Sequence, residues 1–281
     1  MAENTHIQWA TDTWNPIIGC KKVSPGCKFC YAERDMKRYG KNFRAPVRTK
    51  TTFEDPLKWE KKERRIFTAS WSDWFIPEFD EHRADAWDII RQTPYFNYLI
   101  LTKRPERIMQ CLPDDWGLGY SNVWLGVSGE NQAMVDKRVP ILIDIPAVVH
   151  FLSYEPALSR IKLEELNGGY QTSGDLKHPW DGYLYNRFHM GGARHMHYKL
   201  DWVIAGGESG VRGKYRPCRL DYLRKVVHQC KLAETPVFVK QLGTSLAKEM
   251  RLKDWKGGNM DEFPEDLQVR QFPNPFDISL N

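Results

Sequence analysis

The sequence predicts an α/β protein built around a parallel sheet, and two observations carry that prediction. Seven short apolar runs of strand length recur along the chain, and most are followed by a polar segment whose apolar residues have helical spacing. Alternation of this kind is typical of parallel strands connected by helices. Seven repeats favour a partial (β/α) barrel of six to seven parallel strands, similar to a TIM barrel, over an open sheet.

The predicted strands are rich in Val, Ile, Leu and aromatic residues, which suit a buried strand. They cover residues 14–18, 66–70, 98–102, 123–127, 148–153, 202–205 and 237–239. Predicted helices follow five of these strands, at residues 31–39, 82–91, 105–111, 131–139 and 220–233.

Two segments interrupt the alternation. Residues 167–199 are rich in Gly, His and Tyr and lack a helical period, which is uncommon in a compact domain unless the segment is a lid or a binding element. Residues 257–281 contain several prolines and are expected to be extended along the surface. We therefore expect a single domain over residues 1–281, with an insert and a C-terminal tail.

Composition narrows the class of protein. A hydrophobic fraction of 41% with 13% aromatic residues is that of a folded chain. No apolar run approaches the ~20 residues that a membrane span requires, so no membrane association is expected. Six cysteines without a secretory signal indicate reduced thiols and a cytoplasmic location.

Three of the cysteines, Cys20, Cys27 and Cys30, fall within eleven residues. The turn-forming pair Pro25-Gly26 lies between the first two, so the three sulfurs can converge at the end of the first strand. A structural zinc site would need a fourth, distant ligand, and the thiols could also be merely buried. An iron–sulfur cluster held by only three cysteines would leave one iron open to a small molecule.

Polar residues follow six of the seven predicted strands, where the active site of a parallel barrel collects. They are Ser70, Ser72 and Asp73, then Thr102, Lys103 and Arg104, then Ser128 and Glu130, then Ser153 and Glu155, then Gly206, Gly207 and Glu208, and last Lys240 and Gln241.

The cysteine segment resembles that of the radical S-adenosylmethionine (SAM) enzymes, in which a [4Fe–4S] cluster follows the first strand of a partial barrel. The Cys27-x-Phe29-Cys30 half matches their usual spacing, whereas the six-residue gap after Cys20 is longer than usual. The resemblance implies that all three cysteines bind the cluster and that SAM is the second cofactor. Candidate SAM-binding residues are then Ser70, Ser72, Asp73, Ser128, Glu130, Ser153, Glu155, Gly206, Gly207 and Glu208, with Lys240 and Glu208 as candidate catalytic residues.

A wider resemblance covers nearly the whole chain outside the insert. Four motifs together look like the phage Gp37/Gp68 family, a three-Cys-motif group of unknown function linked to the radical SAM class and, more loosely, to DNA-lesion repair of the spore photoproduct lyase type. The motifs are Trp14-Asn15-Pro16, Leu101-Thr102-Lys103-Arg104-Pro105, Ser153-Tyr154-Glu155-Pro156 and Gly206-Gly207-Glu208-Ser209-Gly210.

These observations lead to a radical SAM enzyme that acts on DNA or RNA with an external electron donor. In that hypothesis Arg44, Arg48 and Lys50 bind phosphates, and Trp71 and Trp74 stack on an extruded base. Two alternatives stay open. The same chemistry could serve a small molecule or a peptide, or the protein could be a non-catalytic, zinc-binding nucleic-acid module.

Overall fold

The computed structural model describes residues 2–163 and 199–274. All of the predicted insert except its last residue, 199, therefore lies outside the described residues. The chain divides into two compact units, the first formed by Met1–Val127 with Ile145–Val148 and the second by Ser128–Asp144 with Val149–Asn281.

The first unit is a sheet with three helices. Its strands are β1 (Ala2–Glu3), β2 (Asp12–Trp14), β3 (Ile17–Ile18), β4 (Val47–Arg48), β5 (Arg64–Thr68), β6 (Phe96–Thr102) and β7 (Val123–Ser128), whose last residue belongs to the second unit. Strands β2, β5, β6 and β7 lie side by side and are parallel, while β1 and β2 pair antiparallel, as do β3 and β4. The helices are α1 (Tyr31–Arg38), α2 (Asp80–Gln92) and α3 (Ile108–Cys111).

The second unit has the same parallel character. Its strands are β8 (Val149–Tyr154), β9 (Trp202–Gly206) and β10 (Val237–Gln241), and β9 pairs in parallel with both of the others. Its helices are α4 (Gln132–Ile143), α5 (Leu220–Leu232) and α6 (Thr244–Glu249).

Large aromatic side chains fill the core of the first unit where β2 ends. The Trp14 ring lies 5.8 Å from Trp74 and 5.7 Å from Tyr98 between ring centroids, and its Nε1 donates a 2.9 Å hydrogen bond to the Phe53 carbonyl. Aromatic pairs in these tilted arrangements stabilise a core beyond the area they bury. Because Trp14 is fixed in this way, Asn15 emerges beside the loop that follows β5.

The α/β class and the seven parallel strands are confirmed, with four strands in the first unit and three in the second. Six strands begin and end within two residues of their predicted bounds. The first differs, because the apolar run at 14–18 supplies the end of β2 and then the antiparallel β3. Pro16 separates the two, since proline has no N–H to continue the parallel ladder.

Two further predictions concern residues that the structure describes. The tail, as far as residue 274, contains the 3-10 turns Met260–Glu262 and Glu265–Leu267, and Arg270 bridges to Phe238 of β10. Within residues 2–163 and 199–274, no helix combines the length and the apolar character that crossing a membrane requires.

A cysteine-lined cavity as the candidate functional site

The cysteine loop, residues 19–30, is shaped by its own turn residues. Pro25 begins a 3-10 turn, Pro25–Cys27, in which the Cys27 N–H donates to the Ser24 carbonyl at 3.0 Å. Cys30 then lies at the N-terminal cap of α1, whose Ala32 and Met36 face a small apolar cluster. The loop therefore joins a strand to a helix, as the sequence predicted.

Gly19 fixes the start of this loop. Its φ of +93° is in the region that favours glycine, and a Cβ there would lie 2.9 Å from the Pro46 Cα. Its N–H donates to the Trp71 carbonyl at 3.0 Å, and the Cys20 N–H donates to the Phe43 carbonyl at 2.7 Å. These contacts hold Cys20 against the loop that follows β5.

All three thiols line one cavity of about 70 Å³, a space for a few water molecules. Its other walls include Trp71 and Asp73 from the loop after β5, and Lys103 and Arg104 from the loop after β6. Every cysteine of the chain is a free thiol, and these three are half-buried. Within the described part of the chain, no three His, Cys, Asp or Glu side chains lie close enough to form a metal site in the present arrangement.

An ion pair between Asp73 and Arg104 forms part of the cavity wall. Asp73 Oδ2 accepts a 3.0 Å hydrogen bond from Arg104, and both side chains are buried. Arg104 also donates to the Lys21 carbonyl at 2.8 Å and lies 3.9 Å from the Cys20 sulfur. The guanidinium thus connects the end of β6 to the cysteine loop.

The charges around the cavity act differently on two of the thiols. Burial raises the pKa of the Cys20 thiol to about 11, and the nearby Asp73 carboxylate adds to the rise while Arg104 opposes it. Burial also acts to raise the pKa of Cys27, but the Lys103 charge and hydrogen bonds from residues 23 and 24 outweigh it, so this pKa is lowered. Metal binding requires thiolates, which positive neighbours favour.

In the first unit, the hydroxyl and carboxylate groups that were predicted to bind SAM form hydrogen bonds with other groups of the chain. Asp73 also accepts hydrogen bonds from the Thr102 hydroxyl at 2.7 Å and from the Lys103 N–H at 3.0 Å. Ser70 Oγ is hydrogen-bonded to the Asn15 side chain at 3.0 Å, and Ser72 donates to the Gly19 carbonyl. Asp73 therefore positions Arg104, and the SAM-binding roles of Ser70, Ser72 and Asp73 stay predictions.

The predicted nucleic-acid residues differ in their burial. Trp74 is wholly buried and packs against Trp14, Phe79 and Trp87, so its assignment as a base-stacking residue is wrong.

Trp71 is half-buried and lines the cavity, while Arg44 and Lys50 are exposed. Arg48 is half-buried with its guanidinium 3.9 Å from the centre of the Phe53 ring, so its charge is partly committed to packing.

Among the candidates in the second unit, Glu130 and Glu208 form ion pairs. Glu130 is wholly buried and accepts a 2.9 Å hydrogen bond from Arg138, which also donates to the Ser128 carbonyl at 2.8 Å. Glu208 accepts two hydrogen bonds from the Arg216 guanidinium, at 2.6 and 2.9 Å. The burial of Glu130 corrects its prediction as a SAM ligand, and the roles predicted for Glu208 would require it to leave Arg216.

Glu155 and Lys240 form another partly exposed ion pair in the second unit, at the ends of β8 and β10. Lys240 Nζ lies 2.9 Å from Glu155 Oε1, and Ser153 donates to the other carboxylate oxygen at 3.3 Å. Gly206 leaves room for this carboxylate, because a Cβ there would lie 2.9 Å from Oε1. Gly207 packs against the Leu242 carbonyl, so the two glycines shape the backbone around the pair.

Two residues to which the sequence assigned no cofactor-binding or catalytic role are central to the geometry. Asn15 Oδ1 accepts a 3.0 Å hydrogen bond from the Trp71 N–H and thereby fixes the loop after β5. Arg104 joins that loop to the cysteine loop. Both belong to short motifs, Trp-Asn-Pro and Lys-Arg-Pro, whose position at a strand end was the available signal.

Comparison with known proteins yields one match. A family model described as "Protein of unknown function (DUF5131)" matches residues 4–266. No curated protein and no solved structure matches the chain.

Proposed function

The chain belongs to the DUF5131 family of proteins of unknown function, and from its own residues we propose that it is a radical SAM enzyme acting on nucleic acid. Cys20, Cys27 and Cys30 would hold a [4Fe–4S] cluster, with SAM as the co-substrate and an external donor supplying electrons. The seven parallel strands are compatible with the partial (β/α) barrel and with the phage Gp37/Gp68 likeness, both of which form part of the proposal.

One observation carries the proposal, namely that three free thiols from a short loop line a single cavity. The described residues that line it include no His and no fourth Cys, and its carboxylate, Asp73, already pairs with Arg104. A closed zinc site takes four protein ligands, whereas a cluster with an open iron takes three. The donor set therefore fits a three-cysteine cluster better than structural zinc.

In this proposal, the residues around the cysteines bind and orient the groups of the site. Lys103 helps to lower the pKa of Cys27 and so favours its thiolate, and Arg104 opposes the burial that raises the pKa of Cys20. Asp73 orients Arg104, and the half-buried position of the cysteines limits access of water. When bound and reduced, the cluster supplies the electron that cleaves SAM to methionine and a 5′-deoxyadenosyl radical.

The proposed substrate class follows from charge. Residues 20–50 contain ten Lys and Arg against two Asp and Glu, a net charge of +8, whereas the whole chain carries +5. The rest of the chain is therefore net negative, and the positive charge is concentrated in the segment that supplies the cysteine loop. Such a concentration attracts a polyanion, and exposed side chains such as Arg44 and Lys50 can contact its phosphates.

The experiment that tests this proposal is anaerobic reconstitution followed by iron and sulfide analysis. Each of Cys20→Ala, Cys27→Ala and Cys30→Ala should lose the cluster, because each removes one of the three ligands. Cys111→Ala is the matched control, since Cys111 is a free cysteine away from the cavity. Full iron and sulfide in all three variants would refute these cysteines as the cluster ligands, and zinc without sulfide in the parent protein would favour the zinc module.

A further inference from the structure

An exposed aromatic stack stands beside the cysteine cavity. Tyr39, at the C-terminal cap of α1, stacks on Trp71 with ring centroids 5.9 Å apart and an interplanar angle of 30°. Trp71 lines the cavity, whereas Tyr39 is 64% exposed. The pair therefore presents an accessible tyrosine ring at one side and reaches the thiol-lined space at the other.

Both residues are held in place by the backbone. The Trp71 N–H donates to Asn15 Oδ1 at 3.0 Å, and the Trp71 carbonyl accepts from the Gly19 N–H at 3.0 Å. The Tyr39 N–H donates to the carbonyls of Asp35 and Met36 at 3.1 Å. These hydrogen bonds fix the backbone, and the contact between the two rings limits their rotation, so less conformational entropy is lost when a flat ligand stacks on Tyr39.

Several exposed cations lie near Tyr39 in the sequence. Lys37, Arg38, Lys41 and Arg44 are all exposed and lie within five residues of Tyr39 along the chain. The acidic residues of α1 are already paired with other cations, Glu33 with Lys22 and Asp35 with Arg34. The remaining cations of residues 20–50 have no acidic residue within that segment to balance them, and its net charge is +8.

We propose that the Tyr39–Trp71 stack is the binding platform for a base of a single-stranded nucleic acid, with the neighbouring cations on its phosphates. The platform rests on the nucleic-acid part of the proposed function and not on the cluster. Aromatic faces flanked by basic residues are the usual way in which proteins hold unpaired bases. A base within a duplex has both faces covered, so the ligand is a single strand or an extruded nucleotide.

The other source of an aromatic base is the adenine of SAM. SAM carries a net positive charge at neutral pH, because its sulfonium and ammonium groups outnumber its carboxylate. The cations around Tyr39 repel such a ligand and attract a polyanion. The positive charge near Tyr39 therefore favours a nucleic acid over SAM as the ligand of the stack.

The test measures binding of a fluorescently labelled single-stranded oligonucleotide by anisotropy, at several salt concentrations and with metal-free and reconstituted protein. Tyr39→Ala should weaken binding at least about fivefold, the loss expected for one stacked base. Tyr39→Phe should retain affinity, because it keeps the ring. Trp255→Ala is the matched control, since Trp255 is also an exposed aromatic beside a lysine, Lys256, and should not change binding.

The salt dependence of binding distinguishes the contribution of stacking from that of charge. Arg44→Glu should weaken binding and reduce its salt dependence, whereas Tyr39→Ala should leave the salt dependence unchanged. Unchanged affinity in Tyr39→Ala would overturn the platform, as would a loss of SAM affinity in that variant without a loss of oligonucleotide affinity. Absence of binding to any single strand at low salt would overturn the nucleic-acid substrate itself, whatever the iron content.

Discussion

Asp73 illustrates how a single side chain is committed by its neighbours. Its position after a strand predicted a cofactor ligand, but its oxygens accept hydrogen bonds from Thr102, Lys103 and Arg104. A carboxylate has about four acceptor positions, and these contacts use most of them. Asp73 therefore acts on the site by orienting Arg104 beside Cys20 and by adding its own charge to the causes that raise the Cys20 pKa.

Replacing this carboxylate should be costly. In Asp73→Asn the buried Arg104 loses its counter-charge, and removal of one partner of a buried ion pair lowers the free energy of unfolding by about 3–5 kcal/mol. Urea unfolding of the metal-free protein, followed by circular dichroism, measures the change. Asp115→Asn is the control, because Asp115 forms an exposed pair with Arg91 and its loss should matter far less. Equal stability of the two variants would contradict the structural role of Asp73.

For single residues, the sequence predicted which side chains lie near the site better than it predicted how deeply each is buried. The three cysteines do line one cavity, because their short spacing and Pro25-Gly26 leave little freedom. Trp71 and Trp74 look equivalent in the sequence, but one is half-buried and the other is core. The difference depends on packing against Trp14, a long-range contact that local spacing does not reveal.

Among the elements, the loops after β9 and β10 are locked together through glycine. The Gly207 N–H donates to the Gln241 carbonyl at 2.9 Å, and Gln241 Nε2 donates to the Gly207 carbonyl at 2.7 Å. A Cβ on Gly207 would lie 2.1 Å from the Leu242 carbonyl oxygen, and one on Gly243 would lie 2.7 Å from the Gly207 carbonyl carbon. The two loops can approach this closely because neither glycine carries a side chain.

Adding one methyl group here should separate the loops. Gly207→Ala forces the backbone to move, and overpacking of this kind costs about 1–3 kcal/mol or more. The variant should lower the melting temperature more than Gly213→Ala, in which the added Cβ meets open space and only the left-handed φ of +74° is unfavourable. Thermal unfolding compares the two, and a smaller shift in Gly207→Ala would show that the loops are not packed as described.

The strands were predictable because a parallel strand that is buried on both faces is apolar along its whole length, which the sequence shows as a short apolar run. Six strands match the prediction within two residues, since each is bounded by polar or turn-forming residues. The prediction for 14–18 failed because two strands share this run, with Pro16 between them and with Ile17 and Ile18 paired antiparallel to Arg48 and Val47. A pairing between residues 30 positions apart leaves no periodic mark in either segment.

Over the whole molecule, charge and cysteines coincide in sequence. The segment 20–50 carries a net charge of +8 and contains all three cavity cysteines, Tyr39 and the exposed cations around it. In the proposed function, a loop that binds a cluster within this basic segment would suit a polyanionic substrate. Composition alone, with a net charge of only +5, conceals this concentration.

The most direct test of the central claim is reductive cleavage of SAM. Reconstituted protein, reduced with dithionite in the absence of oxygen and incubated with SAM, should form 5′-deoxyadenosine and methionine, which chromatography with mass spectrometry quantifies. Cys30→Ala should form neither, while Cys111→Ala should match the parent protein. Complete retention of SAM by protein shown to carry a full complement of iron and sulfide would contradict the claim.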